Sequence, residues 1–306
     1  MRFAVMGAGG VGGTYGALLE RAGNPVAFIA RGAHLEAMRA GGLQVNSWRG
    51  ALHLPEVEAT DDPAEVGHVD CILFAVKTYD TETAARRMAP MVGPETVILS
   101  LQNGVESEEV LEGIFGAGRV LGGLAFISAY IESPGVIAHS AAGRLIFGEM
   151  DGTLSERARR LQAVFEAAGI ESELTADIHS ALWDKLIWNA CFNPLTTITG
   201  ANVQEILNDP ASEEVARAAM DEVAQVARAW GANLPEDVVD KMVELTRELG
   251  PISSSMRHDW EAGKPIEAHA LSGVVVERGR ARGVATPVNA TLYAALRLME
   301  QARERE

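Results

Sequence analysis

An α/β domain followed by an all-α domain is what the sequence predicts, on three observations. Short β-type runs alternate with helical stretches through the first half, a pattern that implies parallel strands with crossover helices. A glycine cluster, GAGGVG, follows the first of those runs and opens the first helical stretch. After Ala176 the β-type runs stop and the chain turns almost purely helical. The expected division is residues 1–172 and 173–306, with the boundary in the region 170–176.

The elements follow in order. RFAVMG is a strand, and a helix starts at about Val11. PVAFIAR is the second strand, followed by a helix near His34 to Arg39. LQVNSW and LHLPEVEAT are expected to make an extra hairpin, and VDCILFAVK and TVILSLQNG return to buried strands. From Arg119 to Glu149 the pattern reads as antiparallel strands with turns at Ser133 to Gly135 and near Gly143. Ser155 caps a helix that ends at Gly169, and IESEL is a short strand. The helical part then holds the segment from Leu182, Ser212 to Trp230, Glu236 to Leu249, Ile266 to Arg282, and a last helix opened by Thr286-Pro287, a favourable cap and first-turn pair.

Composition removes several classes of function. At 306 residues and 47% apolar the chain can bury a large core. A net charge of −16 opposes binding to nucleic acid or anionic membrane, both of which select clustered Lys and Arg. No apolar run approaches the 18 or so uninterrupted residues of a membrane span. The glycines arrive too early for MRFAVMGAGG to be a signal peptide. Two isolated cysteines, Cys71 and Cys191, fit a reducing cytoplasm, and no His, Cys, Asp or Glu spacing argues for a metal.

The glycine cluster carries the first functional reading. In a strand-to-helix turn, Gly7, Gly9 and Gly12 permit a tight turn, close approach of a pyrophosphate and strand–helix packing, while the helix N-terminus attracts phosphate. That is a Rossmann-type dinucleotide site. The second strand ends on Arg31, where an NAD site places Asp or Glu. A guanidinium suits a 2′-phosphate, so the expected cofactor is NADPH. Lys77 and Asn103 lie just past strand ends, on the rim where such sheets bind ligands.

LWDKLIWNACFNPLT, residues 182–196, carries the second. Its apolar residues surround a helical cylinder, the pattern of a segment buried on all sides. Lys185, Asn189 and Asn193 recur every four residues and form one polar stripe along it. A buried lysine requires a polar partner, because an unpaired buried charge is expensive. A second polar group, Ser253 to Ser255 and Glu267, lies downstream.

The set GAGGVG, QNGV at 102–105, LWDKL followed by N-x-x-x-N-P-L-T, SSM at 254–256 and Glu267 before a final helical pair resembles the ketopantoate reductase (2-dehydropantoate 2-reductase) family over essentially the whole chain. The resemblance implies NADPH as hydride donor and a 2-oxo acid in a cleft between a Rossmann and a helical domain. It implies Lys185 as general acid and Glu267 as the group holding a substrate hydroxyl. Asn189, Asn193 and Ser255 would position the substrate, with Asn103 near the nicotinamide and the reacting carbon.

Hydride delivery to a ketone builds negative charge on oxygen, which a nearby cationic acid stabilises and protonates. The asparagines are neutral, so they can orient the substrate without cancelling the lysine's charge. One departure concerns the residues after Glu267. Family members usually continue with an acidic residue, an aromatic and Asn-Gly, where this chain has His269, Ala270, Ser272 and Gly273. His269 is expected to pack and His179 to serve the helix entry. The departure keeps open a reductase of another 2-oxo acid or an opine-type dehydrogenase, and an NADPH-sensing regulator is a reading from a different class. Apolar helices such as 212–230 could pair two subunits as a homodimer.

Overall fold

A computed structural model describes residues 1–305, which divide into two compact units, 1–102 with 107–178, and 103–106 with 179–305. The first unit is built on a ten-stranded sheet. Its parallel centre comprises β1 (Phe3–Met6), β2 (Val26–Ile29), β5 (Glu58–Thr60), β6 (Val69–Phe74) and β7 (Val92–Ser100), ordered β7-β6-β1-β2-β5. Every residue of β1 and β2 is buried, as expected for strands covered on both faces. Alternate residues of β1 feed two cores: Phe3 and Val5 join Phe28, Leu73, Leu99 and Phe165, whereas Ala4 and Met6 join Ile29, Ile72, Phe74 and Leu111. The helices of this unit are α1 (Gly10–Arg21), α2 (Gly32–Gly41), α3 (Thr81–Met88), α4 (Ser107–Phe115) and α5 (Glu156–Ala167).

The other half of the sheet is set by one long hairpin, β8 (Val120–Ser133) and β9 (Val136–Glu149). Its turn lies at Pro134-Gly135, inside the predicted region, with Gly135 at φ 78°. The second expected turn, near Gly143, is instead a β-bulge. Phe126 faces Arg144 and Ile127 faces Ala142, so Gly143 is the extra residue, at φ 124°. The hairpin expected between 43 and 60 is also only half realised. β3 (Leu43–Ser47) pairs antiparallel with β4 (Leu52–Leu54), but Glu58–Thr60 joins β2 in parallel at the far edge. Ser155 caps α5 by accepting from the Ala158 amide, and IESEL supplies β10 (Ser172–Leu174) on β9.

The second unit holds α6 (Ile178–Thr199), α7 (Val203–Asn208), α8 (Pro210–Ala229), α9 (Val238–Glu248), α10 (Ser255–Glu261), α11 (Val274–Arg282) and α12 (Pro287–Arg303). Helices α7 and α10 are too short for sequence periodicity to show. The helix expected from Ile266 to Arg282 contains a π-turn at His269–Gly273 ahead of α11. Wider turns of this kind recur at functional sites. Among the described residues no helix is long and apolar enough to cross a membrane.

Candidate active site

α6 is buried on nearly all sides, as its composition requires. Leu182, Trp183, Leu186, Ile187, Ala190, Cys191 and Phe192 are each at most 5% exposed. Pro194 within it lacks the N–H that would close a rung to Ala190, and the Thr196 and Thr197 hydroxyls donate back to the Asn193 carbonyl. The polar stripe survives this burial. Asn189 is 7% and Asn193 1% exposed, and both polar atoms of the Asn193 carboxamide lack a hydrogen-bond partner. Buried polar groups are nearly always paired, so such an orphan calls for a ligand.

Lys185 donates from Nζ to Asn103 Oδ1 at 3.1 Å, and Asn103 Nδ2 donates to Glu267 Oε2 at 3.4 Å. One carboxamide therefore bridges a cation and a carboxylate, its oxygen toward the ammonium and its NH₂ toward the acid, the one orientation both partners accept. All three belong to the second unit, because residues 103–106 group with the helices although they lie between β7 and α4. Burial pulls the Lys185 pKa down and the Glu267 carboxylate draws it partway back, leaving it at about 8. An ammonium at that value exchanges its proton near neutral pH.

The serine run divides its tasks. Ser254 is the N-cap of α10, accepting from the Arg257 amide, and lies 2.7 Å from the Thr196 hydroxyl, which ties α10 to the turn after Asn193. Ser253 Oγ is buried without a partner, whereas Ser255 is exposed at the first residue of α10. Three serines in a row give the sequence no means of separating these roles. Capping explains Ser254 once the helix start is known.

In the first unit the glycines match a phosphate turn one by one. Gly7 has φ 101°, and a Cβ there would lie 2.8 Å from the Val76 amide nitrogen. A Cβ on Gly12 would fall 2.4 Å from the Gly7 carbonyl oxygen and 2.7 Å from Val5, so helix and strand touch there. Gly9 faces nothing within 4 Å and caps α1 without a side-chain bond or an acidic first turn. The first amides of a helix have no intrahelical acceptor, and the open space at Gly9 leaves room beside them for an anion such as a pyrophosphate.

His34, which sequence reading treated only as part of a helix, pins this loop. Its Nδ1 accepts from the Gly135 amide, so its Nε2 carries the proton and donates to the Ala8 carbonyl at 3.0 Å. Burial lowers its pKa, which keeps that tautomer neutral. Arg31 is the N-cap residue of α2, largely exposed, with its guanidinium 2.7 Å from Asp80 in the turn after β6. Lys77, three residues past β6, is half-buried at the start of that turn.

His269 is half exposed, 3.5 Å from Glu106, 3.8 Å from Glu277 and 3.4 Å from the Tyr293 hydroxyl. The cluster draws on three separate stretches of chain, which no local spacing could reveal. His179, expected at the entry of the helix, lies inside its first turn instead, and its Nε2 contacts the Trp230 carbonyl at the end of α8.

The family model for ketopantoate reductase PanE/ApbA matches residues 3–152, and that for its C-terminal part matches residues 177–300. A 2-dehydropantoate 2-reductase of Archaeoglobus fulgidus is 36% identical over 300 residues, covering 98% of each chain. The crystal structure of 2-dehydropantoate 2-reductase from Geobacter metallireducens superimposes with a TM-score of 0.93 at 37% identity, over 99% of this chain and all of that one. A D-mandelate dehydrogenase solved with NADH and anilino(oxo)acetate shares the fold, at 22% identity and a TM-score of 0.92 over 99% of this chain and all of that one. A carboxamide set between a lysine and a glutamate, a glycine turn open to phosphate, and two family models that together span nearly the whole chain converge: the chain belongs to the ketopantoate reductase family.

Proposed function

We propose that the chain reduces 2-dehydropantoate to pantoate with NADPH. The observation that carries this reading is the Lys185–Asn103–Glu267 contact, an acid with a pKa of about 8 held by a neutral bridge beside a carboxylate. Gly7, Gly9 and Gly12 would hold the pyrophosphate, Arg31 the 2′-phosphate, Lys77 another part of the nucleotide and Asn103 the nicotinamide end. Bound there, the dinucleotide supplies a hydride to the carbonyl carbon.

The chain's own residues do the rest. The Lys185 ammonium stabilises the negative charge that develops on the carbonyl oxygen and gives that oxygen its proton. Glu267 accepts a hydrogen bond from the substrate hydroxyl and keeps the lysine protonated at neutral pH. The unpaired carboxamide of Asn193, with Asn189 a turn before it on the same stripe and the Ser255 hydroxyl, supplies donors for the substrate carboxylate. Each is neutral, so none competes with Lys185 for the developing charge.

A second reading, reduction of another 2-oxo acid alone or with condensation of an amine, is favoured by one observation. His269, Ala270 and Ser272 replace the usual family residues two to five positions beyond Glu267, while Gly273 keeps the family's glycine. The test is NADPH consumption with 2-dehydropantoate against a panel of 2-oxo acids, each with and without amino acids. The highest kcat/KM is expected with 2-dehydropantoate. A clear preference for another acid, or a requirement for an amine, selects the second reading, and cofactor binding with no turnover on any member makes the chain a sensor.

Cofactor choice is tested separately. The exposed Arg31–Asp80 pair is worth at most about 1 kcal/mol, so a phosphate dianion can draw the guanidinium away. Loss of a charge-assisted hydrogen bond of about 1.5–3 kcal/mol predicts that Arg31→Ala lowers the NADPH-over-NADH ratio of kcat/KM by at least about tenfold. An unchanged ratio removes Arg31 from the cofactor site.

A further inference from the structure

We infer that Glu106, His269 and Glu277 form a binding site for a divalent transition-metal ion, zinc foremost, that clips the loop carrying Asn103 to the π-turn that follows Glu267. The inference does not depend on the substrate. One ligand atom from each of the three residues lies within 4.8 Å of the others. A point therefore exists within about 2.8 Å of all three, and metal–ligand bonds of about 2.0–2.2 Å need each side chain to move by well under 1 Å. His269 and Glu277 are 52% and 58% exposed and Glu106 34%, so shifts of that size fall within ordinary side-chain rotation.

The backbone assembles the ligand set. His269 and Glu277 are eight residues apart, which leaves them roughly 80° apart around a regular α-helix at about 100° per residue. The π-turn at His269–Gly273 is wider, turns less per residue and brings Glu277 to 3.8 Å from His269 Nδ1, with Glu106 3.5 Å from Nε2; the ion takes one of these two nitrogens. Gly273 completes the arrangement, since a Cβ there would lie 2.7 Å from His269 Nδ1 and 2.9 Å from the Tyr293 ring. Only a residue without a side chain leaves the imidazole room to lie along the helix between Glu106 and Glu277. The third ligand arrives from residues 103–106, held from the same side by Gly104, whose Cβ would meet the Ala270 carbonyl oxygen at 2.9 Å.

One imidazole and two carboxylates make a mixed nitrogen and oxygen donor set, which suits zinc, cobalt(II) or iron(II) and suits magnesium and calcium less, since those prefer oxygen alone. Three protein ligands leave coordination positions for water. Glu106 is three residues from Asn103 and His269 two from Glu267. A bound ion would couple the two elements whose side chains meet at 3.4 Å in the Asn103–Glu267 hydrogen bond.

The experiment uses the full-length chain freed of any affinity tag, titrated with zinc by calorimetry and with cobalt(II) followed by its visible absorption. One ion per chain is expected. Glu106→Gln, His269→Ala and Glu277→Gln should each weaken binding at least tenfold while leaving circular dichroism unchanged. Absence of saturable binding overturns the proposal, as does binding that His269→Ala and Glu277→Gln leave as tight as in the parent, which would place the ion elsewhere.

Discussion

Lys185→Ala is expected to lower turnover by about 10² to 10⁴-fold, the range for loss of a positioned general acid, with circular dichroism unchanged. The fold should survive because the substitution deletes a cation from an apolar wall and leaves Asn103 bonded to Glu267. The same assignment fixes a pH limb in the parent enzyme. Only the ammonium form donates a proton, and its pKa has been brought down by burial to about 8. Turnover therefore holds below that pH and falls as pH rises through it. Glu267→Gln removes the charge that raises the lysine's pKa, so the limb should move to lower pH. Steady-state profiles of the three proteins check this, and near-normal turnover in the alanine variant would eliminate the role.

Gly7→Ala and Gly9→Ala should fail in opposite ways. Gly7 sits at φ 101°, and its Cβ would press on the backbone at Ala75 and Val76 at 2.8 to 2.9 Å. Left-handed strain of about 1–2 kcal/mol and overpacking of about 1–3 kcal/mol add to roughly 2–5 kcal/mol, a large part of a domain's typical margin of about 5–15 kcal/mol. Urea unfolding should show that loss directly. Gly9, at φ −80° with open space beyond it, accepts a methyl group with a stability change within about 0.5 kcal/mol. The methyl stands where the pyrophosphate must approach, so NADPH binding by fluorescence titration should weaken at least about tenfold. Equal cofactor affinity in Gly9→Ala and the parent would remove the glycine turn from the binding site.

Much of this was legible in the sequence because it depends on short-range rules. The period of β1, β2, β6 and β7, the Ser155 cap and the Thr286-Pro287 start need only a few neighbouring residues, and so does the four-residue stripe on α6. What could not be read depends on partners remote in the chain. Glu58–Thr60 looks like half of a hairpin until β2 offers it a parallel edge. Gly143 has the composition of a turn, and only the register against Phe126 and Ile127 makes it a bulge. Asp80, which pairs with Arg31, and Glu106, which meets His269, gave no local signal, and the run Ser253 to Ser255 did not show which hydroxyl is buried unpaired. The partner of Lys185 was expected from the cost of an unpaired buried charge. That the contact runs through the Asn103 carboxamide required coordinates.

The grouping of Asn103–Glu106 with the helices rather than with the strands that flank it makes the second unit discontinuous in the chain. A fragment that starts at residue 179 would fold without the carboxamide that Lys185 grips, and one that stops at 178 would carry that tetrapeptide with no anchor. Chimeras between relatives should accordingly take residues 103–106 from the same parent as 179–305. A single-crossover exchange at residue 178 would pair one parent's lysine with the other parent's asparagine.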